Sequence, residues 1–128
     1  MIVKDYAGTK RMRTRKAILD HVATFRAGDY AAFELSHDES GPILSLLVCK
    51  AFAYFHYFPV PDFLQHAGYR SANVDDELCT RNVEFRTIAD GQLEVEPQSI
   101  IHLDNAEGVL REFWSSDDLP ASLEWEEL

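Results

Sequence analysis

Sixteen consecutive residues, Ile43–Phe58, constrain this chain more than any other stretch. The run contains Ser45, Lys50 and His56, and it is short for a membrane-spanning helix, which needs about 20 apolar residues. Division at Cys49-Lys50-Ala51 gives two strands, Ile43–Val48 and Phe52–Phe58, each apolar on successive residues. Neighbouring side chains of a strand point to opposite faces, so a strand that is apolar throughout needs cover on both. In the second strand Phe52, Tyr54, His56 and Phe58 share one face, and Ala53, Phe55 and Tyr57 share the other. These strands belong in the middle of a sheet, and Pro59-Val60-Pro61 ends the pair.

The flanking sequence supplies material to cover them. Ile18, Leu19, Val22 and Phe25 recur at helical spacing, with Thr14 as N-cap and Gly28 as the stop, which predicts a helix over 14–27. Tyr30–Ser36 reads as a strand, and the following His37-Asp38-Glu39-Ser40-Gly41-Pro42 is dense in turn formers. Residues 62–74 read as an irregular loop leading into a strand. Asn82–Ile88 and Gln92–Glu96 form a hairpin around Ala89-Asp90-Gly91. Asp104 and Glu107 have capping-box spacing, and Ala106, Val109, Leu110, Phe113 and Trp114 then make one apolar stripe. After Ser115–Pro120, Ala121, Leu123 and Trp125 alternate with Ser122, Glu124 and Glu126 in a terminal strand. The expected fold is a single α+β domain over residues 1–128. In it, a mostly antiparallel sheet carries an N-terminal and a C-terminal helix packed on it.

Charge is distributed unevenly. The 128 residues carry a formal charge of −10. Residues 1–30 hold seven bases and three acids, residues 31–100 four bases and eleven acids, and residues 101–128 one base and eight acids. Nucleic acid repels such a body, because non-specific affinity for it comes from Lys and Arg neutralising phosphates. A basic protein partner attracts it. Tyr54, Phe55, Tyr57 and Phe58 lack the interleaved bases of a base-stacking platform and belong in the core. Cys49 and Cys79 fit a reduced, cytoplasmic chain, and Met1-Ile2-Val3 leads into no signal peptide.

No catalytic or cofactor motif is present. The histidines 21, 37, 56, 66 and 102 show no HExxH or HxH spacing, and the cysteines no CxxC, so neither metal nor cofactor is expected. His56 reads as a buried, hydrogen-bonded imidazole. His37-Asp38-Glu39 is an acidic loop without the oxygen pattern of a calcium site. GxSxG, P-loop and GxGxxG patterns are absent.

The C-terminal block has an ordered set of features. Ile100-Ile101 precedes the helix from Asp104 to Trp114, which ends in the aromatic pair Phe113-Trp114. A polar break (Ser115–Asp118), Leu119-Pro120, and the strand Leu123-Glu124-Trp125-Glu126-Glu127-Leu128 follow. This order resembles the first of the numbered immunity-protein (Imm) families of bacterial polymorphic toxin systems, and Gly68-Tyr69-Arg70-Ser71 is similar to that family's Gly-aromatic-x-Ser element. The resemblance implies a non-enzymatic protein that binds and neutralises a toxin domain, typically a nucleic-acid deaminase, with no small-molecule substrate and no membrane. With the acidic charge, it suggests an interface whose rim includes Asp75, Asp76 and Glu77, Asp117 and Asp118, and Glu124 and Glu126. Tyr69 and Arg70, beside a glycine loop, are the expected anchors. An acidic adaptor domain with no toxin partner is the alternative.

Overall fold

The computed structural model describes residues 1–24, 29–62, 65–73 and 78–128. Its strands are β1 (Ile2–Asp5), β2 (Gly8–Arg11), β3 (Tyr30–Ser36), β4 (Ile43–Cys49), β5 (Phe52–Phe58), β6 (Tyr69–Ala72), β7 (Val83–Arg86), β8 (Gln92–Val95), β9 (Ile101–His102) and β10 (Glu124–Glu127). The α-helices are α1 (Arg15–Thr24) and α2 (Ala106–Ser115). The main sheet is antiparallel and runs β10-β6-β5-β4-β3-β1-β2, with β9 beside β5.

The Ile43–Phe58 run makes β4 and β5, which pair along their whole length from Ile43↔Phe58 to Cys49↔Phe52. Both sit inside the sheet, as their unbroken apolarity requires. One face, carrying Phe33, Leu35, Leu44, Leu46, Phe55 and Tyr57, packs with Ile18 of α1 and Val109, Leu110 and Phe113 of α2. On the other face Ala32, Leu47, Cys49 and Tyr54 pack with Phe85, Val95 and Ile100. That second cover is a separate two-stranded sheet, β7–β8, so the expectation of one sheet is corrected to two. A free-standing hairpin would expose Phe85, whereas here the side chain is fully buried. Burial pushes the Cys49 thiol up, as suits a small buried hydrophobe.

The N-terminus differs from the expectation. The first helix is not the first element, because the hairpin β1–β2 precedes it and extends the sheet past β3. Every residue of β2 is exposed, so no apolar alternation marked it. Backbone pairing holds it, and the Met1 ammonium donates to the Met12 carbonyl at 2.8 Å. Thr14 caps α1 as expected, its Oγ1 accepting from Ala17 N at 3.1 Å. The expected end of this helix, with Phe25 and Gly28, lies outside the described residues.

Asp5 joins the hairpin to α1. Its carboxylate is 5% exposed, accepts from Ala7 N at 2.8 Å and lies 2.7 Å from Nε2 of His21. Burial pushes the carboxyl pKa up, but His21, the Ala7 N–H and the charge of Lys10 together bring it below its ordinary value. A lowered folded-state pKa adds stability above the unfolded value of about 3.9, and that stability is lost as pH falls through the folded one. Asp5→Asn is therefore expected to flatten the acid limb of stability against pH below about 4. Urea midpoints between pH 2 and 7 test this, and an acid limb identical to wild type would assign the acid sensitivity to other carboxylates.

The capping box is also corrected. A 3-10 turn, Leu103–Asn105, precedes α2, and the His102 ring nitrogen Nδ1 accepts from Asp104 N at 3.1 Å. The N-cap of α2 is Asn105, without a side-chain cap bond, and Glu107 pairs forward with Arg111 at 2.7 Å. The apolar stripe packs as expected for Ala106, Val109, Leu110 and Phe113, all buried, while Trp114 is only partly so.

Ser71 closes a gap in the sheet. Along the outer edge of β5 the neighbour changes from β6, at His56↔Arg70, to β9, at Ala53↔Ile101. Between them Phe55 N donates to Ser71 Oγ at 3.1 Å, and that hydroxyl donates to the Ser99 carbonyl at 2.7 Å. Ser71 is fully buried, so Ser71→Ala strands a donor and an acceptor away from water. The expected cost is about 2–3 kcal/mol in urea denaturation. A change under about 0.5 kcal/mol would show that the gap is filled some other way.

Candidate partner-binding surface

The edge built by β6 and β10 gathers most of the sequence-predicted contact residues. Gly68 turns the chain into β6 with φ +91°, and a Cβ there would sit 2.5 Å from the Tyr57 carbonyl oxygen. β10 pairs antiparallel with β6, Glu124↔Ala72, Trp125↔Ser71, Glu126↔Arg70 and Glu127↔Tyr69, and Leu128 N continues the ladder to Gly68 O at 2.9 Å. The alternation read from the tail is present. Trp125 packs inward, its indole donating to the Pro120 carbonyl at 2.7 Å, while Glu124 and Glu126 are exposed on the opposite face.

Tyr69 and Arg70 are strand residues and do not form a protruding loop tip. Tyr69 points to the helix side, partly buried, its ring 6.2 Å from that of Tyr57 and 5.4 Å from that of His66. Arg70 points the other way and grips Glu126 through both carboxylate oxygens at 3.1–3.2 Å. That pair neutralises itself, whereas Glu124 on the same face of β10 has no ion pair among the described residues.

Carboxylates also line the helix side of this edge. Glu127 lies 3.5 Å from His66. Asp117 and Asp118, both exposed, follow α2, and Tyr57 donates its hydroxyl to the Asp117 carbonyl at 2.7 Å. The Tyr57 pKa is pushed up to about 12, first by burial and then by Asp117, Asp118 and Tyr69. The structure thus joins Tyr69, Arg70, Glu124 and Glu126 on paired strands, with Asp117 and Asp118 near Tyr69 across Tyr57. Asp75, Asp76 and Glu77 lie outside the described residues.

The opposite edge has the opposite sign. Lys10 and Arg11 stand exposed on β2, with Lys4 on β1 and Arg13, Arg15 and Lys16 close by in sequence. Six strand spacings separate β2 from β10, or about 29 Å. The sheet is thus electrically polar across its width. The sequence shows the charge blocks, but nothing in it places them at opposite edges.

A further surface was not legible. β7–β8 covers only the half of its sheet face around Ala32, Leu47 and Tyr54. The other half carries a polar row across six strands, Lys4–Glu34–Ser45–His56–Arg70–Glu126. Strand alternation placed His56 on this face, but which half the hairpin covers depends on where it docks. His56 is partly buried, its Nε2 2.8 Å from the Ala67 carbonyl and its ring stacked on Phe58. Burial lowers its pKa. At the β3–β4 turn, Asp38 accepts from Ser40 N within its own loop. Among the described residues no group of three or more His, Cys, Asp or Glu is placed to hold a metal ion, and no helix is long and apolar enough to cross a membrane.

An antiparallel sheet covered by two helices thus ends in an acidic edge strand that follows an aromatic-ended helix. Residues 16–127 match the model of the family described as Immunity protein Imm1. The chain belongs to that family, whose role is toxin neutralisation and whose members are generally not enzymes. The partner the family implies is a protein toxin. No curated protein matches the chain. The match covers both helices and β3–β10, and the basic β1–β2 hairpin lies before it.

Proposed function

We infer that this chain works in the cytoplasm as a stoichiometric inhibitor of a cognate toxin domain, a nucleic-acid deaminase, and that it performs no catalysis. The observation that carries this reading is the β10 edge, with carboxylates on both of its faces. A nucleic-acid-modifying toxin needs a basic surface to hold phosphates, and an acidic edge competes for that surface by charge complementarity. Occlusion requires only a fitted interface, typically about 1,200–2,000 Å².

The test is co-expression with the toxin domain encoded beside this chain, followed by binding kinetics on the purified pair. Wild type should restore growth and inhibit the deaminase at a one-to-one ratio. The double variant Glu124→Lys/Glu127→Lys avoids the Arg70–Glu126 pair and should slow association roughly 10-fold at low salt, with a weaker salt dependence. Failure of wild type to protect would end the immunity reading. Protection with unchanged association rates would mean that binding rests on apolar contacts.

A further inference from the structure

The main sheet ends on each side in a strand with one partner. Among the described residues β2 pairs only with β1, and β10 only with β6. Every second N–H and C=O of such a strand points away from the sheet, where another chain can pair with it. β2 is exposed throughout, and so are Glu124, Glu126 and Glu127 at the other end. Proteins guard open edges with charge, and here the two guards differ in sign. β1 and β2 carry Lys4, Lys10 and Arg11 against one acid, Asp5, which is buried beside His21. β6 and β10 carry Glu124, Glu126 and Glu127 against one base, Arg70, which Glu126 holds. Lys10, Arg11 and Glu124 have no ion pair among the described residues. Residues 74–77, which lie outside the description, hold three acids and no base, so their charge does not oppose that of β10. Alternation puts Lys10 on the face of Val3 and Arg11 on the other. On β10 it puts Glu127 on the face of Trp125 and Glu124 on the other.

We propose that this chain associates head to tail with a second copy of itself, β2 of one copy pairing with β10 of the next to continue the sheet. Like edges are excluded, because like charges opposite one another across strands are destabilising. Opposite edges bring a base to an acid on both faces, whichever way the helices of the second copy point. The contact is heterologous and leaves a free β2 and a free β10 at the ends of every assembly. The formal charge of −10 opposes association, and range decides the outcome. The Debye length is about 10 Å in about 0.1 M salt, while β2 and β10 stand about 29 Å apart. Touching edges therefore attract each other, and the distant acids are screened. In about 0.01 M salt the length grows to about 30 Å and whole bodies repel; in about 1 M it shrinks to about 3 Å and the edge pairs weaken. A strand pair this short buries less than the roughly 1,200 Å² of a stable interface. The expected dissociation constant is on the order of 0.1–1 mM. Both surfaces belong to this chain, so the inference stands apart from the immunity reading. A β10 edge covered by the next copy is closed to any other partner.

Sedimentation of the full chain from about 10 μM to about 1 mM, in about 0.01, 0.1 and 1 M salt, tests this. In the middle salt the average mass should rise with concentration to at least about twice the monomer, and at both extremes it should stay near the monomer. Lys10→Glu/Arg11→Glu and Glu124→Lys/Glu127→Lys each give a chain whose two edges share one sign, so each alone should remain a monomer. Their equimolar mixture should associate as wild type does, because every acidic edge then finds a basic one. All four positions are exposed, so thermal midpoints should stay close to wild type. Amides of β2 and β10 should exchange about 3-fold more slowly at the highest concentration than at the lowest, with β4 unchanged. A monomer at about 1 mM in every salt would overturn the proposal. So would association that survives in either variant, a mixture that stays monomeric, or a mass that climbs steadily into high salt.

Discussion

Replacing Phe113 with alanine is expected to destabilise the protein by about 3–5 kcal/mol. Phe113 is fully buried in the helix-side core, meeting Tyr57 edge-on with ring centroids 6.4 Å apart and lying 5.3 Å from the His37 ring. Its own carbonyl lies 2.6 Å from His37 Nε2, which ties the β3–β4 turn to the end of α2. Truncation leaves a cavity that this cross-braced region cannot readily collapse into. Trp114, the next residue, is only partly buried, so Trp114→Ala should cost less, about 1–3 kcal/mol. Equilibrium urea unfolding of the two variants checks the order. A larger loss for Trp114 than for Phe113 would contradict the packing of α2.

Gly68→Ala is the second large effect, expected at about 3–5 kcal/mol, of which left-handed backbone strain accounts for about 1–3. The remainder comes from space. The added methyl would lie 2.5 Å from the Tyr57 carbonyl oxygen and 2.8 Å from His56 Nε2, and the backbone oxygen cannot move without disturbing β5. Relief would come by shifting β6 outward, which loosens Tyr69–Ala72 and, through the Leu128–Gly68 bond, the acidic β10. Amide exchange should accelerate in β6 and β10 before it does in β3 and β4. Exchange that rises equally in all four strands would show that the sheet yields as one unit.

Gly68 opens the sequence element Gly68-Tyr69-Arg70-Ser71, and each of its residues has a structural place. Gly68 allows the approach to β5, Tyr69 enters the helix-side core, and Ser71 fills the gap between β6 and β9. Arg70 alone of the four faces out, and it is held by Glu126. Gly68, Tyr69 and Ser71 thus serve the architecture, and the element sets the position of the acidic edge beside it.

Legibility followed how local each cause was. β3 and β5 have the ends read from alternation and turn residues, and β4 runs one residue further, because side chains packed on both faces leave a pattern that noise does not hide. α2 was legible as a stripe. Its cap was not, because the His102 ring accepts the bond that capping-box spacing assigned elsewhere. β2 left no pattern, since an exposed edge strand is held by backbone bonds that any side chains permit. The tie between Arg70 and Glu126 was not legible either, because it spans 56 residues of sequence.

The sequence by itself determined the fold class, two central strands, an amphipathic C-terminal helix, the alternation that turns Glu124 and Glu126 outward, and a charge divided between a basic beginning and an acidic end. Each follows from local periodicity or composition. Only the tertiary structure decided that the basic and acidic blocks lie at opposite edges of one sheet, which half of its face β7–β8 covers, and that α1 and α2 leave a groove between them. Those outcomes depend on which distant segments pair and dock, and pairing depends on the fit of surfaces that the chain order does not bring together.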